Sequence, residues 1–191
     1  PATLGFNLAR VHVETGELDK ALEHLQVYFD KKQSSKGRAA YVLLARILKE
    51  QKKTASLLEH LEKLSAHDPD NASLTIYLAD QHAAAKADDK ALAFYERGLA
   101  KATPADREAA YWGLSSLHRR GSRGKELLET LGEALGARGD IKRLDGELKQ
   151  IAGDEKLSKD LLKQASLQAE DDQVQAPFAR RLVAARFAIQ M

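Results

Sequence analysis

The chain has 191 residues, 43% of them apolar and 30% charged, with a formal charge of +2 from 30 basic and 28 acidic side chains. This composition excludes disorder over most of the length, and the charge balance excludes a general polyelectrolyte pull toward nucleic acid or membrane. There is no cysteine, which rules out disulfide scaffolding, thiolate zinc sites and a cysteine nucleophile, and no run approaches the roughly 20 apolar residues of a membrane span. The compartment stays open on these grounds, with the cytoplasm favoured over the periplasm.

In chain order, the first organised stretch is LARVHVETGELDKALEHL, Leu8 to Leu25. A Leu-Ala pair opens it, a histidine follows, and a short turn leads into Lys-Ala-Leu. The stretch LADQHAAAKADDKALAFY, Leu78 to Tyr95, repeats these features at the same offsets. Leu44-Ala45 and Leu114-Ser115 open two further copies, with later marks at Leu57 and Leu61 and at Leu127 and Leu131. The starts at Leu8, Leu44, Leu78 and Leu114 are separated by steps of 36, 34 and 36 residues. Each copy reads as two antiparallel helices joined by a short turn. Ala9, Ala21, Ala45, Ala79 and Ala91 are expected at the crossings, where packed helices need small side chains.

Past the fourth copy the pattern weakens. Ile141, Leu144, Leu148, Leu157 and Leu161 keep the apolar spacing, with Asp145 at the small place and Gly146 after it. Asp140 and Asp154, each following a glycine, are predicted helix N-caps. AEDDQVQAP, Ala169 to Pro177, reads as a linker, and the segment after it as one more helix, carrying Phe178, Leu182, Phe187 and Ile189.

This pattern resembles the tetratricopeptide repeat family, whose signature runs aromatic, Leu-Gly, Tyr, Ala, Phe and a final Pro. Tyr41, Leu44, Ala45, Leu61 and Pro69 fit one copy, and Leu78, Ala79, Ala91 and Tyr95 fit the next. Gly5 and Thr75 stand where the leading aromatic belongs in two copies, and Leu127 replaces an alanine in the fourth. The resemblance implies an all-α, right-handed α-solenoid of helix-turn-helix repeats over residues 1–172. Good copies are expected at 2–35, 38–71, 72–105 and 108–138, and a degenerate one at 139–170. Residues 173–191 are then a terminal helix, either a cap or half of a further repeat. The chain itself reads as a section of a longer array.

Catalysis finds little support. His12, His82 and His118 occupy one repeat place, where a half-buried ring between helices is expected, and no His-x3-His spacing appears. No metal, cofactor or catalytic group is therefore predicted. The carboxylate pairs Asp88-Asp89 and Asp171-Asp172 read as solvated caps at turns. HRRGSRGK, His118 to Lys125, lacks the spacing of a phosphate-binding loop and reads as an inter-helix turn with basic residues near a helix C-terminus. Thr103-Pro104-Ala105-Asp106 reads as a capping box with proline at the first helical position.

The resemblance places a partner-binding groove on the first helices of successive repeats. Helical phase assigns Phe6, Arg10, Val42, Arg46, Lys49, Ile76, Tyr77, Trp112, Arg119 and Arg120 to it, with Tyr77 and Trp112 as anchors; the alternative for Phe6, Val42, Ile76 and Trp112 is packing between adjacent first helices. The two-asparagine, multi-lysine clamp by which some family members hold a carboxylate terminus is absent, since Phe6, Arg10, Leu43, Ser73 and Tyr77 stand at its places. The expected function is a non-enzymatic protein-interaction scaffold holding an acidic, hydrophobic peptide or helix; nucleic acid is not an expected partner. The alternative is a structural segment of a larger assembly, associating weakly through its terminal helices.

Overall fold

A computed structural model describes residues 2–31, 37–138, 140–170 and 178–191. Among them every regular element is helical, eleven α-helices and one 3-10 turn at Thr54–Ser56. The chain divides into two compact units, residues 1–102 and 103–191.

The first unit holds α1 (Ala2–Glu14), α2 (Leu18–Phe29), α3 (Ala39–Glu50), α4 (Leu57–His67), α5 (Ala72–Ala84) and α6 (Asp88–Leu99). α1 packs most closely on α2, and α5 on α6. Four of the five alanines foreseen at crossings explain this: Ala9, Ala21, Ala79 and Ala91 are all 0% exposed, while Ala45 is only half-buried. At Gly5 the approach is closer still, because a Cβ there would lie 3.0 Å from the His24 carbonyl oxygen on α2. Where the repeat pattern asks for an aromatic ring, glycine instead lets one backbone approach another. Leucines, Tyr28, Phe29, Tyr41 and Tyr77 fill the core, with Phe29 and Tyr41 stacked at 5.4 Å.

The second unit holds α7 (Pro104–Arg120), α8 (Gly124–Arg138), α9 (Ile141–Ala152), α10 (Glu155–Glu170) and α11 (Phe178–Gln190). Its core gathers Trp112, Leu127, Leu128, Leu131, Leu144, Leu148, Ile151, Leu157, Leu161, Val183 and Phe187. Besides α7, α8 packs on α10 and α11. A Cβ at Gly132 would sit 3.0 Å from Arg180 Cβ, so this glycine admits α11 against α8. Helix α10 runs on through Glu170; the rest of the expected linker, from residue 171, lies outside the described residues, as does the Asp171-Asp172 pair.

The turns explain how the hairpins reverse. Gly16, Lys52, Lys86 and Ser122 have φ of 78°, 60°, 58° and 51°. At each, the residue's own N–H bonds the carbonyl three residues back, and the next N–H reaches the carbonyl five residues back. The second bonds are Glu17 to His12 (2.8 Å), Lys53 to Leu48 (2.7 Å), Ala87 to His82 (2.9 Å) and Arg123 to His118 (2.9 Å). This is the Schellman motif, which satisfies the last carbonyls of a helix through one left-handed residue. The left-handed residues are spaced by 36, 34 and 36 positions, the same steps as the leucine starts.

Side chains cap α5, α7, α9 and α10, while α2, α3, α4 and α6 begin at residues whose side chains make no cap bond. Asn71 accepts the Leu74 N–H at 3.0 Å and donates to Tyr41 Oη at 2.7 Å. Thr103 accepts the Asp106 N–H at 3.2 Å and donates to its carboxylate at 2.7 Å, behind Pro104. Asp140 and Asp154 accept from Arg143 N–H at 2.9 Å and Leu157 N–H at 3.0 Å, as read from the sequence. The Asp88-Asp89 pair forms the first turn of α6 and, contrary to expectation, does not cap it: the N-cap is Ala87, and the two carboxylates lie where negative charge suits the helix dipole.

Candidate partner-binding cleft

In the first unit α1 and α3 lie side by side, and a shallow cleft of about 390 Å3 runs between them. Phe6 and Arg10, four residues apart, line it from α1. Ala39, Val42, Leu43 and Arg46 line it from α3, at helical spacing on one face. The volume falls in the range of roughly 300–1,000 Å3 typical of binding sites, although this one is open.

Its chemistry is apolar at the centre and cationic along one edge. Val42 is 53% exposed despite its neighbours' burial, while Leu43 below it is 9% exposed. Phe6 is half-buried and braced by Tyr28 at a ring separation of 5.5 Å. Arg46 donates through Nη1 to Glu14 and through Nε to Glu50, both at 2.8 Å. The Glu14 bond, then the Glu50 bond, raise its pKa above the ordinary arginine value. These carboxylates hold the guanidinium in place beside Val42. Arg10 is exposed.

The other residues assigned to the groove sit elsewhere. Lys49 is exposed on α3, one turn beyond Arg46, and does not line the cleft. Ile76 is 0% exposed and presses on Gly98, whose Cβ would lie 2.6 Å from Ile76 Cγ1. Tyr77 is buried, its ring 6.2 Å from that of Tyr41 and 5.3 Å from the Arg38 guanidinium; burial pushes its hydroxyl pKa up. Trp112, Arg119 and Arg120 belong to the second unit. Trp112 is 3% exposed in the core, with the Arg143 guanidinium 4.6 Å over its ring. Arg119 approaches Glu147 at 3.8 Å, and Arg120 is exposed at the end of α7. The structure thus brings Phe6, Arg10, Val42 and Arg46 together, adds Ala39 and Leu43, and assigns Ile76, Tyr77 and Trp112 to the cores. Ala39 escaped the sequence reading because an alanine near a helix start carries no signal of its own.

Two of the three repeated histidines, His12 and His82, share a stacking arrangement, and His118 is buried on α7. His12 stacks on His24 at 5.1 Å, and His82 on Phe94 at 5.1 Å, each pair twelve residues apart across a hairpin. Glu17 accepts from His12 at 2.7 Å, Thr15 at 3.2 Å and Lys20 at 2.5 Å; the bond from Lys20, then that from His12, lower its pKa to about 2. His82 is almost fully buried, 3.6 Å from Glu62, and burial lowers its pKa against the weaker upward pull of that carboxylate.

The run HRRGSRGK forms the α7–α8 turn, and Gly124 has a specific reason. Its N–H donates to Asp160 Oδ2 at 2.9 Å, and a Cβ would lie 2.2 Å from that oxygen. A carboxylate of α10 therefore occupies the anion position at this helix N-terminus. Among the described residues no three His, Asp or Glu side chains gather to hold a metal ion, and no helix is long and apolar enough to cross a membrane.

No family model matches the chain, and no curated protein matches it.

Proposed function

We propose that this chain is a tetratricopeptide-type solenoid, right-handed and non-enzymatic, and that the α1–α3 cleft holds an acidic, amphipathic helix or peptide of a partner protein. The observation that carries the reading is the cleft itself: exposed Val42 and half-buried Phe6 line it together with Arg10 and Arg46. An occupant with an apolar stripe covers the valine and phenylalanine, and its carboxylates meet the arginines. Such helix-in-groove docking draws affinity from buried apolar anchors and orientation from flanking charge. The four Schellman turns at steps of 36, 34 and 36 residues support the repeat architecture, since a repeated turn implies a repeated hairpin.

The test is a paired capture from the source organism's lysate with the parent chain and an Arg10→Glu, Val42→Asp variant. Both positions are exposed, so the fold should survive, as a helical circular-dichroism melt can verify. A protein held by the parent and lost by the variant supports the cleft. Identical catches refute it.

A second reading draws on α11, where Phe178 is 73% and Ile189 85% exposed. In it the chain is a structural segment that associates weakly through its terminal helices. Sedimentation showing a monomer over a wide concentration range would count against that reading.

A further inference from the structure

A second recess in the first unit is built by different helices. It lies between α2 and α4, has a volume of about 240 Å3, and rests on an apolar floor of Leu22, Phe29, Leu44 and Leu64. Its two walls differ in charge. The α4 wall presents His60, Lys63 and His67, spaced three and four residues apart along one helix face. The α2 wall presents Gln26 and Asp30, joined by a hydrogen bond from Gln26 Nε2 to Asp30 Oδ1 at 2.8 Å.

The polar groups are partly committed in a way that favours one kind of ligand. His60 donates from Nδ1 to the Ser56 carbonyl at 2.8 Å, which fixes the ring and leaves Nε2 as its remaining polar atom. Lys63 pairs with Glu59 at 2.7 Å, but the side chains are 72% and 64% exposed, so the pair is weak and exchanges readily with another anion. Asp30 is the acid of the lining, and its carboxylate already accepts from Gln26. The α4 wall therefore offers an incoming anion the Lys63 ammonium and the ring nitrogens of His67, while the α2 wall offers a carboxylate and an amide already bonded to each other.

We propose that this recess binds a compact hydrophobic carboxylate, its apolar body on the leucine and phenylalanine floor and its anion on the Lys63–His67 wall. The volume lies below the roughly 300–1,000 Å3 of sites for drug-sized ligands, which restricts the occupant to about ten non-hydrogen atoms. The same chemistry could come from a free small acid or from the carboxyl end of a polypeptide.

Phenylacetate is the probe, with phenylacetamide and phenethylamine as neutral and cationic counterparts of the same ring. Methyl resonances of Leu22, Leu44 and Leu64 in the full chain report occupancy. Phenylacetate should shift them saturably with a Kd of about 1 mM, and the amide and amine should bind at least fivefold more weakly, a margin of about 1 kcal/mol. Lys63→Ala with His67→Ala, both exposed, should erase that margin while leaving the amide's affinity unchanged. N-acetylvaline, a chain-end mimic of about the same size as phenylacetate, separates the sources: tighter binding than phenylacetate assigns the recess to chain ends, and weaker binding to free acids. Equal affinity for all three ring probes, preference for the amine, or absent methyl shifts would overturn the proposal.

Discussion

The four hairpin turns invite a direct test, because three of them place a side chain where glycine is preferred. Lys52, Lys86 and Ser122 have φ of 60°, 58° and 51°, whereas Gly16 fills the equivalent place at 78°. An L-residue in this region costs about 1–2 kcal/mol from the Cβ clash with its own backbone. Replacement by glycine removes that cost and adds about 0.4–1 kcal/mol of unfolded-chain freedom. All three side chains are exposed, so little packing is lost. Each of Lys52→Gly, Lys86→Gly and Ser122→Gly should therefore stabilise its unit by about 0.5–1 kcal/mol. Gly16→Ala should destabilise by about 0.5–1 kcal/mol, since a Cβ there meets nothing within 4 Å and the backbone strain is offset only in part by the lost unfolded-chain freedom. Urea unfolding followed by the helical circular-dichroism signal reads these differences, and a gain of 1 kcal/mol should raise Tm by about 2–4 °C. If the lysine-to-glycine variants lose stability, or Gly16→Ala is neutral, the assignment of strain to these turns is wrong.

Three further outcomes follow from the cores and their ionisable groups. Gly98→Ala should destabilise by about 1–3 kcal/mol, because the new Cβ would lie 2.6 Å from Ile76 Cγ1. In the Ile76→Ala background the same change should be neutral or stabilising, and additive effects in the urea double-mutant cycle would refute the contact. Gly124→Ala should destabilise the second unit by about 2 kcal/mol by pushing Asp160 away; Asp160→Ala should recover part of that loss, measured by the same unfolding, and no recovery would reject the clash. His82 titrates below its ordinary value of 6.5 when folded, so the unfolded chain takes up its proton first. Its contribution is complete above pH 6.5 and lost as pH falls through the folded pKa. His82→Phe should flatten the stability profile below pH 6.5, and an unchanged acid slope would contradict the assignment.

What the sequence disclosed was local. Small residues at helix crossings are forced by close packing, so Ala9, Ala21, Ala79 and Ala91 announced their burial. Caps are equally local: Thr103, Asp140 and Asp154 each accept an N–H three residues on. Depth of burial was another matter. Phase indicates which side of a helix is apolar, but not how many neighbours cover it. In α5 every residue from Ala72 to Ala79 is buried, so the helix has no wet side there to set its phase, and the sequence left Ile76 open between groove and packing while placing Tyr77 in the groove. Trp112 shows the same limit: a ring under an arginine and a ring awaiting a partner look identical in one dimension.

The fading of the repeat after residue 138 has a structural cause. Asp145 stands where the earlier copies carry a small residue, and it accepts two hydrogen bonds from Arg186 of α11, at 2.8 and 2.6 Å. The Arg186 bond holds the Asp145 carboxyl below its usual range. α11 also packs on α8, where Gly132 admits its backbone at Arg180. Asp145, which departs from the pattern, is therefore a residue that receives α11. The contact made this way uses an ion pair and a glycine approach in place of the small-against-small crossing. The sequence carried one clue, the glycines at 132 and 136 on one face of α8. The partnership of Asp145 and Arg186, 41 residues apart, had no local signature.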